Sequence, residues 1–446
     1  MIANKRFDDP NYNGWVLPET CPDINGDLLE RHYDTTKTKS ELLASPEWAL
    51  PDVMALKNGE QLTGEKLSPD NWEEHRRYLL DILMEYGFGY TPAPPKEVRS
   101  KVLWSSAIEE NRYAGVLKTY AGKAISERIE LSFDGPYGEF SFPIQFVRPV
   151  YGEKRPPVII QIAFKPFSLR NIPVSEEVDH RYAPVEEIID NGFAYVQFSY
   201  CDIIGDLPRG SYQEAFVNNG MGKVFCKGEE RGESEWGKVG FWAYAASRVL
   251  DYLLTRDDID HSCISVAGHS RLGKTALWAA AQDERFFAAL VNCSGFGGAG
   301  LMKALTKRRL LDCIENGSID WWCEKQKQYA NDPCSLPYDS HFILACIAPR
   351  YVNLIDADGD FARYQLGDFM AAAAASPVFE ALGLDGFVSS EELPRPSVIY
   401  NDGHIGYALR PGSHYFSRWD WNAHMEFINK HRNDHKYVCK GDERED

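Results

Sequence analysis

Apolar runs and helix-spaced apolar positions alternate along the middle and end of the chain. The unbroken apolar runs at 158–164 and 193–200 are typical of strands buried on both faces. Between them, 184–191 predicts a short helix that Gly192 ends, and 239–254 predicts a longer helix with one apolar side. The pattern continues with shorter predicted elements, namely strands over 264–267, 287–292, 351–355 and 398–400 and a helix over 271–281. Strands that alternate with helices predict right-handed βαβ units and a mostly parallel sheet.

A helix and a hairpin are predicted ahead of this region. Ser68 can cap the helix, Pro69 suits its first position, and apolar residues recur at helical spacing as far as Met84. Alternating apolar positions on both sides of the Gly-Pro-Tyr-Gly sequence at 135–138 predict a β-hairpin. Residues 1–65 are polar and rich in turn signals, so their pattern assigns no regular element.

The composition narrows the possible partners. The 446 residues are 44% hydrophobic and 26% charged, which is ordinary globular usage. Lys plus Arg number 48 and Asp plus Glu number 66, so the formal net charge is −18. That charge disfavours nucleic acid and anionic membranes as main partners.

Cysteine usage and the first residues predict a location. The 10 cysteines form no CxxC pair, which disfavours zinc ribbons and thioredoxin-like motifs and favours free thiols in a reducing compartment. The first residues lack the apolar stretch of a signal peptide, and no apolar run approaches 18 residues. We therefore expect a cytoplasmic protein that spans no membrane.

The sharpest local motif surrounds Ser270. A short apolar strand runs directly into a helix through a turn with Gly268 before the serine and Gly273 after it. Small residues let such a turn bend sharply and present the Ser270 hydroxyl at its tip, as in the nucleophile elbow of hydrolases. The helix N-terminus behind it offers N–H groups to an oxyanion. The pattern is G-x-S-x-x-G, so spacing alone leaves two interpretations open: a nucleophile, or a serine that only caps the helix.

A serine nucleophile needs a histidine base later in the chain. His414 follows the last predicted strand in a loop, which is where such a base belongs. His404, after Asp402-Gly403, is the main rival, and His341 precedes an apolar helix and is interpreted as structural.

The orienting acid has three candidates. Asp356, Asp358 and Asp360 all leave the predicted strand over 351–355, and a solvated acidic turn is the alternative interpretation. An EF-hand calcium loop is disfavoured because its twelfth position, which should be Glu, is Gly367.

Three further features have competing interpretations. The glycines at 295–300 match G-x-G-x-x-G, but no strand ending in an acid follows about 20 residues later, so a tight loop is favoured over a dinucleotide site. Trp321 and Trp322 could stack on a sugar or pack in the core. Lys274, one helical turn after Ser270, could bind substrate or lie on a solvated face.

These residues together resemble a known family. The sequence Ser270-Arg-Leu-Gly-Lys274-Thr-Ala-Leu-Trp278 is similar to the bacterial branch of carbohydrate esterase family 15, the glucuronoyl esterases. The similarity continues in order through most of the chain, at Trp236-Gly237, Asn292–Gly295, 297–298, 336–341, 348–350 and 405–414. It implies an α/β-hydrolase fold, a three-layer sandwich with a mostly parallel central sheet. The expected division is an N-terminal extension over 1–120 packed on the core and a catalytic domain over 121–435.

The resemblance also implies roles. Ser270 is the nucleophile, His414 the base, and the side chain of Arg271 stabilises the oxyanion. Lys274 corresponds to the family lysine that contacts the uronate hydroxyls. Cys293 stands where many members have a catalytic Glu, and Asp360 matches the place of the acid in other members. No metal or other cofactor is implied.

Departures from the family affect the substrate pocket. Ala362 stands where the family has a tryptophan, and Arg308 lies in a stretch where it has a sugar-binding Glu. We expect a divergent serine ester hydrolase with Lys274, Trp321 and Arg308 at its substrate, a glucuronoyl ester of xylan or a related uronate ester. The alternatives are an acetyl or small-acyl carbohydrate esterase and a non-catalytic carbohydrate-binding descendant. The oligomeric state is left open.

Overall fold

A long twisted sheet organises the chain. The computed structural model describes residues 20–22, 28–30, 37–46, 48–62, 68–106, 122–164, 183–206, 210–304, 320–329, 332–360 and 365–433. Within this part, ten strands form one sheet in the order β11-β12-β10-β9-β8-β6-β7-β5-β4-β3, and a separate two-stranded pair contains β1 (Thr20–Pro22) and β2 (Leu28–Glu30). The strands of the main sheet are β3 (Arg99–Ser105), β4 (Ala124–Gly135), β5 (Gly138–Pro149), β6 (Val158–Ala163), β7 (Ala194–Ser199), β8 (Ile264–His269), β9 (Ala288–Asn292), β10 (Tyr351–Ala357), β11 (Val398–Tyr400) and β12 (Ile405–Arg410).

Helices connect and cover these strands. In chain order they are α1 (Lys39–Leu43), α2 (Pro69–Leu83), α3 (Val185–Asp190), α4 (Tyr200–Ile203), α5 (Gly222–Phe225), α6 (Lys238–Leu253), α7 (Arg271–Gln282), α8 (Ser340–Ala345), α9 (Gln365–Ala381) and α10 (Arg418–His431). Short π turns lie at Met84–Phe88 and Gln213–Val217, and short 3₁₀ turns lie at Glu324–Tyr329 and Pro333–Ser335.

The centre of the sheet is parallel and its edges are antiparallel. Strands β7, β6, β8, β9, β10 and β12 pair in parallel, while β5, β4 and β3 at one edge and β11 at the other run antiparallel to their neighbours. Every residue of β6, β7, β8, β9 and β10 is buried, as expected for strands covered on both faces. The two larger apolar clusters lie on opposite faces of this mostly parallel mixed sheet, which is the three-layer arrangement expected of an α/β-hydrolase fold.

The predicted elements are confirmed, with shifts of a few residues at their ends. Helix α2 begins at Pro69, and Ser68 caps it by accepting a hydrogen bond of 3.2 Å from the Asn71 N–H. The hairpin of β4 and β5 turns between Gly135 and Gly138 as predicted. The hydropathy pattern does not reveal β12, because its sequence Ile-Gly-Tyr-Ala-Leu-Arg begins and ends next to glycine and proline.

The N-terminal segment contributes to the same body. Strand β3, which lies within the predicted extension, pairs with β4 at the edge of the main sheet. The Trp72 indole N–H donates a hydrogen bond of 3.1 Å to the carbonyl of Ala348. The predicted boundary at residue 120 lies outside the described residues, so the division into two parts stays a prediction. In the described part of the chain no helix is both long enough and apolar enough to cross a membrane. Six of the described cysteines are free thiols, namely Cys201, Cys226, Cys293, Cys323, Cys334 and Cys346.

Candidate active site

Four parallel strands deliver the candidate residues to one edge of the sheet. Ser270 follows β8, Cys293 follows β9, Asp360 lies three residues after β10, and His414 lies four residues after β12. These strands are neighbours in the order β12-β10-β9-β8. The carboxyl ends of parallel strands meet at one edge, so residues that are far apart in the sequence are brought together there.

The Ser270 turn has the conformation of a nucleophile elbow, defined here as residues 268–273. Ser270 has φ 58° and ψ −126°, a strained conformation for a residue with a side chain, and its N–H donates to the Asn292 carbonyl at 2.9 Å. A Cβ at Gly268 would overlap the carbonyl of Leu272, so the close passage of strand and helix requires glycine there. No side-chain cap bond is made by Ser270 to α7. The geometry therefore favours the nucleophile over the helix cap.

His414 is paired with Asp360. The His414 Nδ1–H donates to Asp360 Oδ2 at 2.5 Å, and the Asp360 side chain is 3% exposed while that of His414 is 26% exposed. A carboxylate at Nδ1 holds the neutral ring in the tautomer whose Nε2 can accept a proton. The arrangement suits a base that is partly open to solvent and an acid that is shielded from it.

The neighbouring aspartates have other surroundings. Burial, with Asp368 and Asp360 nearby, raises the pKa of Asp356 well above its ordinary value. Asp358 accepts a hydrogen bond of 3.0 Å from the Gly412 N–H, and burial raises its pKa to about 6. Of the three acids that leave β10, Asp360 is the one that contacts the histidine.

A buried arginine organises the base loop, defined here as residues 411–415. Arg410 is fully buried, and its Nε donates to Asp420 Oδ1 at 2.7 Å. Its other nitrogens donate to the carbonyls of Pro411 at 3.1 Å, Ser413 at 3.0 Å and Tyr415 at 2.5 Å. One guanidinium thus satisfies three carbonyls around His414 and sets the course of the loop.

His269 packs beside His414 and is itself bonded to Asn292. The rings of His269 and His414 lie 4.4 Å apart between centroids. His269 Nδ1 and Asn292 Oδ1 are 2.5 Å apart, and because the amide oxygen only accepts, the His269 ring carries its proton on Nδ1. This bond ties the residue before Ser270 to the end of β9.

Cys293 lies against the pair without supplying a carboxylate. Its Sγ and ligand atoms of Asp360 and His414 are all within 4.8 Å of one another. Burial first, and then the nearby Asp360, raise the pKa of the Cys293 thiol well above its usual value. A metal would need the thiolate, so these surroundings suit a neutral thiol packed beside an Asp–His pair better than a metal centre.

Arg271 is held on the other side of Ser270. Its guanidinium is paired with Asp206, and its Cζ lies 4.8 Å from the centroid of the Trp321 ring. The Trp321 indole N–H donates to the second oxygen of Asp206 at 2.8 Å. Arg271 Nε is buried and has no hydrogen-bond partner among the residues that the structure describes, while the side chain as a whole is 28% exposed.

Comparison with known proteins identifies this arrangement. A family profile described as glucuronyl esterase, fungi, matches residues 139–383, which is more than half of the chain. "Carbohydrate esterase MZ0003", from an unknown prokaryotic organism, is 30% identical over 441 residues, covering 92% of this chain and 94% of the relative. The chain belongs to carbohydrate esterase family 15, the glucuronoyl esterases.

Solved structures of the glucuronoyl esterase family match the fold. The glucuronoyl esterase from Solibacter usitatus superposes with a TM-score of 0.72 at 28% identity, covering 85% of this chain and 97% of that one. A family member from Teredinibacter turnerae gives a TM-score of 0.73 at 25% identity, covering 90% and 93%. A family esterase from a marine bacterial metagenome, described as promiscuous, gives 0.70 at 26% identity, covering 89% and 100%.

The three residues predicted to bind substrate differ in burial and in whether the structure describes them. Lys274 is 2% exposed, and its ammonium donates to the carbonyls of Ser294 and Phe296, so it supports the glycine-rich loop over 295–300. Trp321 is half-buried beside Arg271. Arg308 and Ala362 lie outside the described residues. The substrate roles of Lys274, Trp321 and Arg308 stay predictions.

The rival histidines lie elsewhere. His404 precedes β12, at the opposite end of that strand from His414, and its Nδ1–H donates to the Asp385 carbonyl at 3.0 Å. His341 is buried with a bond of 2.9 Å to the Pro51 carbonyl, and burial lowers its pKa to about 4. Sequence reasoning missed Asp206 altogether. The only signal for it is that it follows a buried strand, β7, whose carboxyl end lies at the same edge of the sheet.

Proposed function

We propose that the protein is a serine carboxylic ester hydrolase that acts on carbohydrate esters, with a glucuronoyl or related uronate ester as substrate. The observation that carries the proposal is the strained elbow of Ser270 on the same sheet edge as the paired Asp360 and His414. Membership of the glucuronoyl esterase family supports the same chemistry.

The reaction would run through an acyl-enzyme. Ser270 Oγ attacks the ester carbonyl while His414 Nε2 takes its proton, and Asp360 stabilises the resulting imidazolium. The tetrahedral oxyanion is held by backbone N–H groups at the start of α7 and by the free donors of Arg271. His414 then gives its proton to the departing alcohol. A water molecule, deprotonated by His414, attacks the acyl-enzyme and releases the carboxylic acid and Ser270.

A small-acyl carbohydrate esterase is the second candidate function. The observation that favours it is Lys274, whose ammonium is turned to two backbone carbonyls and is almost completely buried. A lysine held in this way has little capacity left for sugar hydroxyls. One relative in the family is described as promiscuous, which is compatible with a pocket of relaxed specificity.

A substrate panel separates the candidates. We would measure kcat/KM for benzyl glucuronate, the corresponding galacturonate ester, an acetylated xylo-oligosaccharide and p-nitrophenyl acetate, with Ser270→Ala as the blank. We expect both uronate esters to be hydrolysed, with only a small preference between them. A preference for the acetylated sugar would replace the uronate assignment by the small-acyl one. If none of the four is turned over by the folded protein, the binding descendant is the correct interpretation.

A further inference from the structure

The carboxylate of Asp206 joins two residues that flank the nucleophile. One of its oxygens is paired with the Arg271 guanidinium, and the other accepts the Trp321 indole N–H at 2.8 Å. The guanidinium lies over the Trp321 ring, 4.8 Å from its centroid, so the three side chains close a triangle. Asp206 itself is 7% exposed, and both oxygens are used inside the protein.

The triangle is anchored to the first turn of α6. Lys238 is fully buried, and its ammonium donates to the Asp206 carbonyl at 3.0 Å and lies 3.5 Å from the carboxylate of Asp320. The Lys238 N–H also donates to the Asp320 carbonyl at 2.8 Å. The backbones at Asp206 and at Asp320, the neighbour of Trp321, are therefore both fixed to the first residue of α6. This holds the Asp206 carboxylate in a defined position next to Arg271 at the start of α7.

The contact with Asp206 orders Arg271, whose long side chain is otherwise flexible. Arg271 is 28% exposed, and without a partner its guanidinium would have to be ordered anew each time an oxyanion forms. Donors that are already in place stabilise a developing charge without that cost. Asp206 accepts from Nη1, and because the Arg271 side chain is 28% exposed, the outer part of the fork stays accessible to a bound substrate.

We propose that Asp206 is a positioning residue that holds Arg271 and Trp321 as one unit, so that the free side of the guanidinium is preorganised for the oxyanion on Ser270. The proposal rests on the proposed function, in which Arg271 stabilises the transition state. It predicts that Asp206 acts only through Arg271, which an ordinary structural ion pair would not do.

A double-mutant cycle tests this. Asp206→Asn keeps the size of the side chain and removes its charge, and it should lower kcat by about 10- to 100-fold with a smaller change in KM. Arg271→Ala should lower kcat by about 10²- to 10³-fold. The double variant should be no slower than Arg271→Ala alone, because the residue that Asp206 positions is already gone. Losses that multiply in the double variant would overturn the proposal, as would an Asp206→Asn enzyme with unchanged kcat.

Two further variants separate positioning from general destabilisation. Asp251 lies on α6, away from the candidate site, and pairs with Arg285 at 2.7 Å and with Arg248 at 2.6 Å. Asp251→Asn therefore controls for the loss of an arginine-paired carboxylate and should leave kcat unchanged. Trp321→Phe keeps a ring under the guanidinium but removes the N–H donor to Asp206. It should lower kcat several-fold in the wild-type background and not at all in Arg271→Ala, and equal losses in both backgrounds would refute the positioning role even if Asp206→Asn fails to fold.

The same variants distinguish a failure of the proposed function from a failure of the positioning role of Asp206. If Ser270→Ala retains turnover, the proposed function fails. If Ser270→Ala is inactive but Arg271→Ala has the wild-type kcat, the ester hydrolase stands and the positioning role of Asp206 is refuted, because Arg271 then has no effect on the transition state for Asp206 to transmit.

Discussion

The nucleophile elbow and the base loop reach the same sheet edge by different physical means. The elbow is shaped by its own backbone, through a strained Ser270, the absence of a Cβ at Gly268 and a direct run from β8 into α7. The base loop is shaped from outside, by the buried Arg410 that bonds its carbonyls and by Asp358, which accepts the Gly412 N–H.

The difference predicts how each region responds to mutation. A turn that depends on local sterics is sensitive to added atoms and insensitive to the loss of distant partners. A loop that depends on a buried ion pair is sensitive to the loss of one charge, because the partner is left buried and unpaired. Four substitutions, in order of decreasing effect, test whether the two regions differ in this way.

The largest effect is expected at the elbow itself. Ser270→Ala removes the nucleophilic oxygen and shortens the side chain by one atom, so kcat should fall by about 10⁶-fold while the thermal unfolding midpoint stays near that of the wild type. Steady-state kinetics and calorimetry on the same preparation measure both. Substantial turnover by the folded variant would mean that the elbow does not carry the chemistry.

The second-largest loss of kcat is expected at Asp360, the acid that pairs with His414. Asp360→Asn reverses the hydrogen bond to His414 Nδ1 and traps the wrong tautomer, and we expect a loss of about 10⁴-fold in kcat. Cys293→Ala is the matched control, since this thiol lies beside the same pair and is neutral, and it should cost far less. If Asp360→Asn is no slower than Cys293→Ala, the protein uses a Ser–His dyad without an acid.

Removal of the support of the base loop should affect stability as well as rate. Arg410→Met leaves the fully buried Asp420 without its cation and releases three loop carbonyls, which should cost about 3–5 kcal/mol in the free energy of unfolding and lower kcat.

A second substitution separates these two effects of Arg410. Arg410→Met/Asp420→Asn removes the unpaired charge, so it should recover part of the stability but none of the kcat. An Arg410→Met protein as stable as the wild type would show that the loop is held locally, like the elbow.

The smallest effect is expected at Asp358, and it depends on pH. A carboxyl group whose pKa is raised to about 6 from 3.8 binds its proton more tightly in the folded protein than in the unfolded chain. Asp358 therefore contributes stability at low pH that is lost as the pH rises from about 4 to about 6. Asp358→Asn removes this loss, so the stability of the variant relative to the wild type should increase by up to about 3 kcal/mol between pH 4 and pH 7.

Urea unfolding of both proteins across that range measures the difference. Burial lowers the pKa of His341 to about 4 and that of His424 to about 3, which gives the opposite slope, but this contribution is common to both proteins and cancels. The kcat should change little, because the amide oxygen of asparagine still accepts the Gly412 N–H. Parallel stability profiles would contradict the prediction.

The elbow and the order of the central elements could be predicted from the sequence. The apolar runs of β6 and β7, the Ser68 cap with Pro69, and the glycines around Ser270 are local signals, since each reflects which backbone conformation or burial a few neighbouring residues can adopt. For this reason the predicted elements agree with the structure except near their ends. The hydropathy pattern does not predict strand β12, because this strand is buried by its partners β10 and β11 and has no distinctive apolar run of its own.

Local sequence patterns predict individual strands, the elbow and a short set of acids and histidines, because these depend on residues that are close together in the chain. Which of these side chains come into contact depends on the tertiary structure. Asp360 and His414 are 54 residues apart and are joined through β10 and β12, while Asp206 reaches Arg271 across 65 residues. Contacts of this kind depend on strand order and on which charges are buried together, and no local pattern records either property.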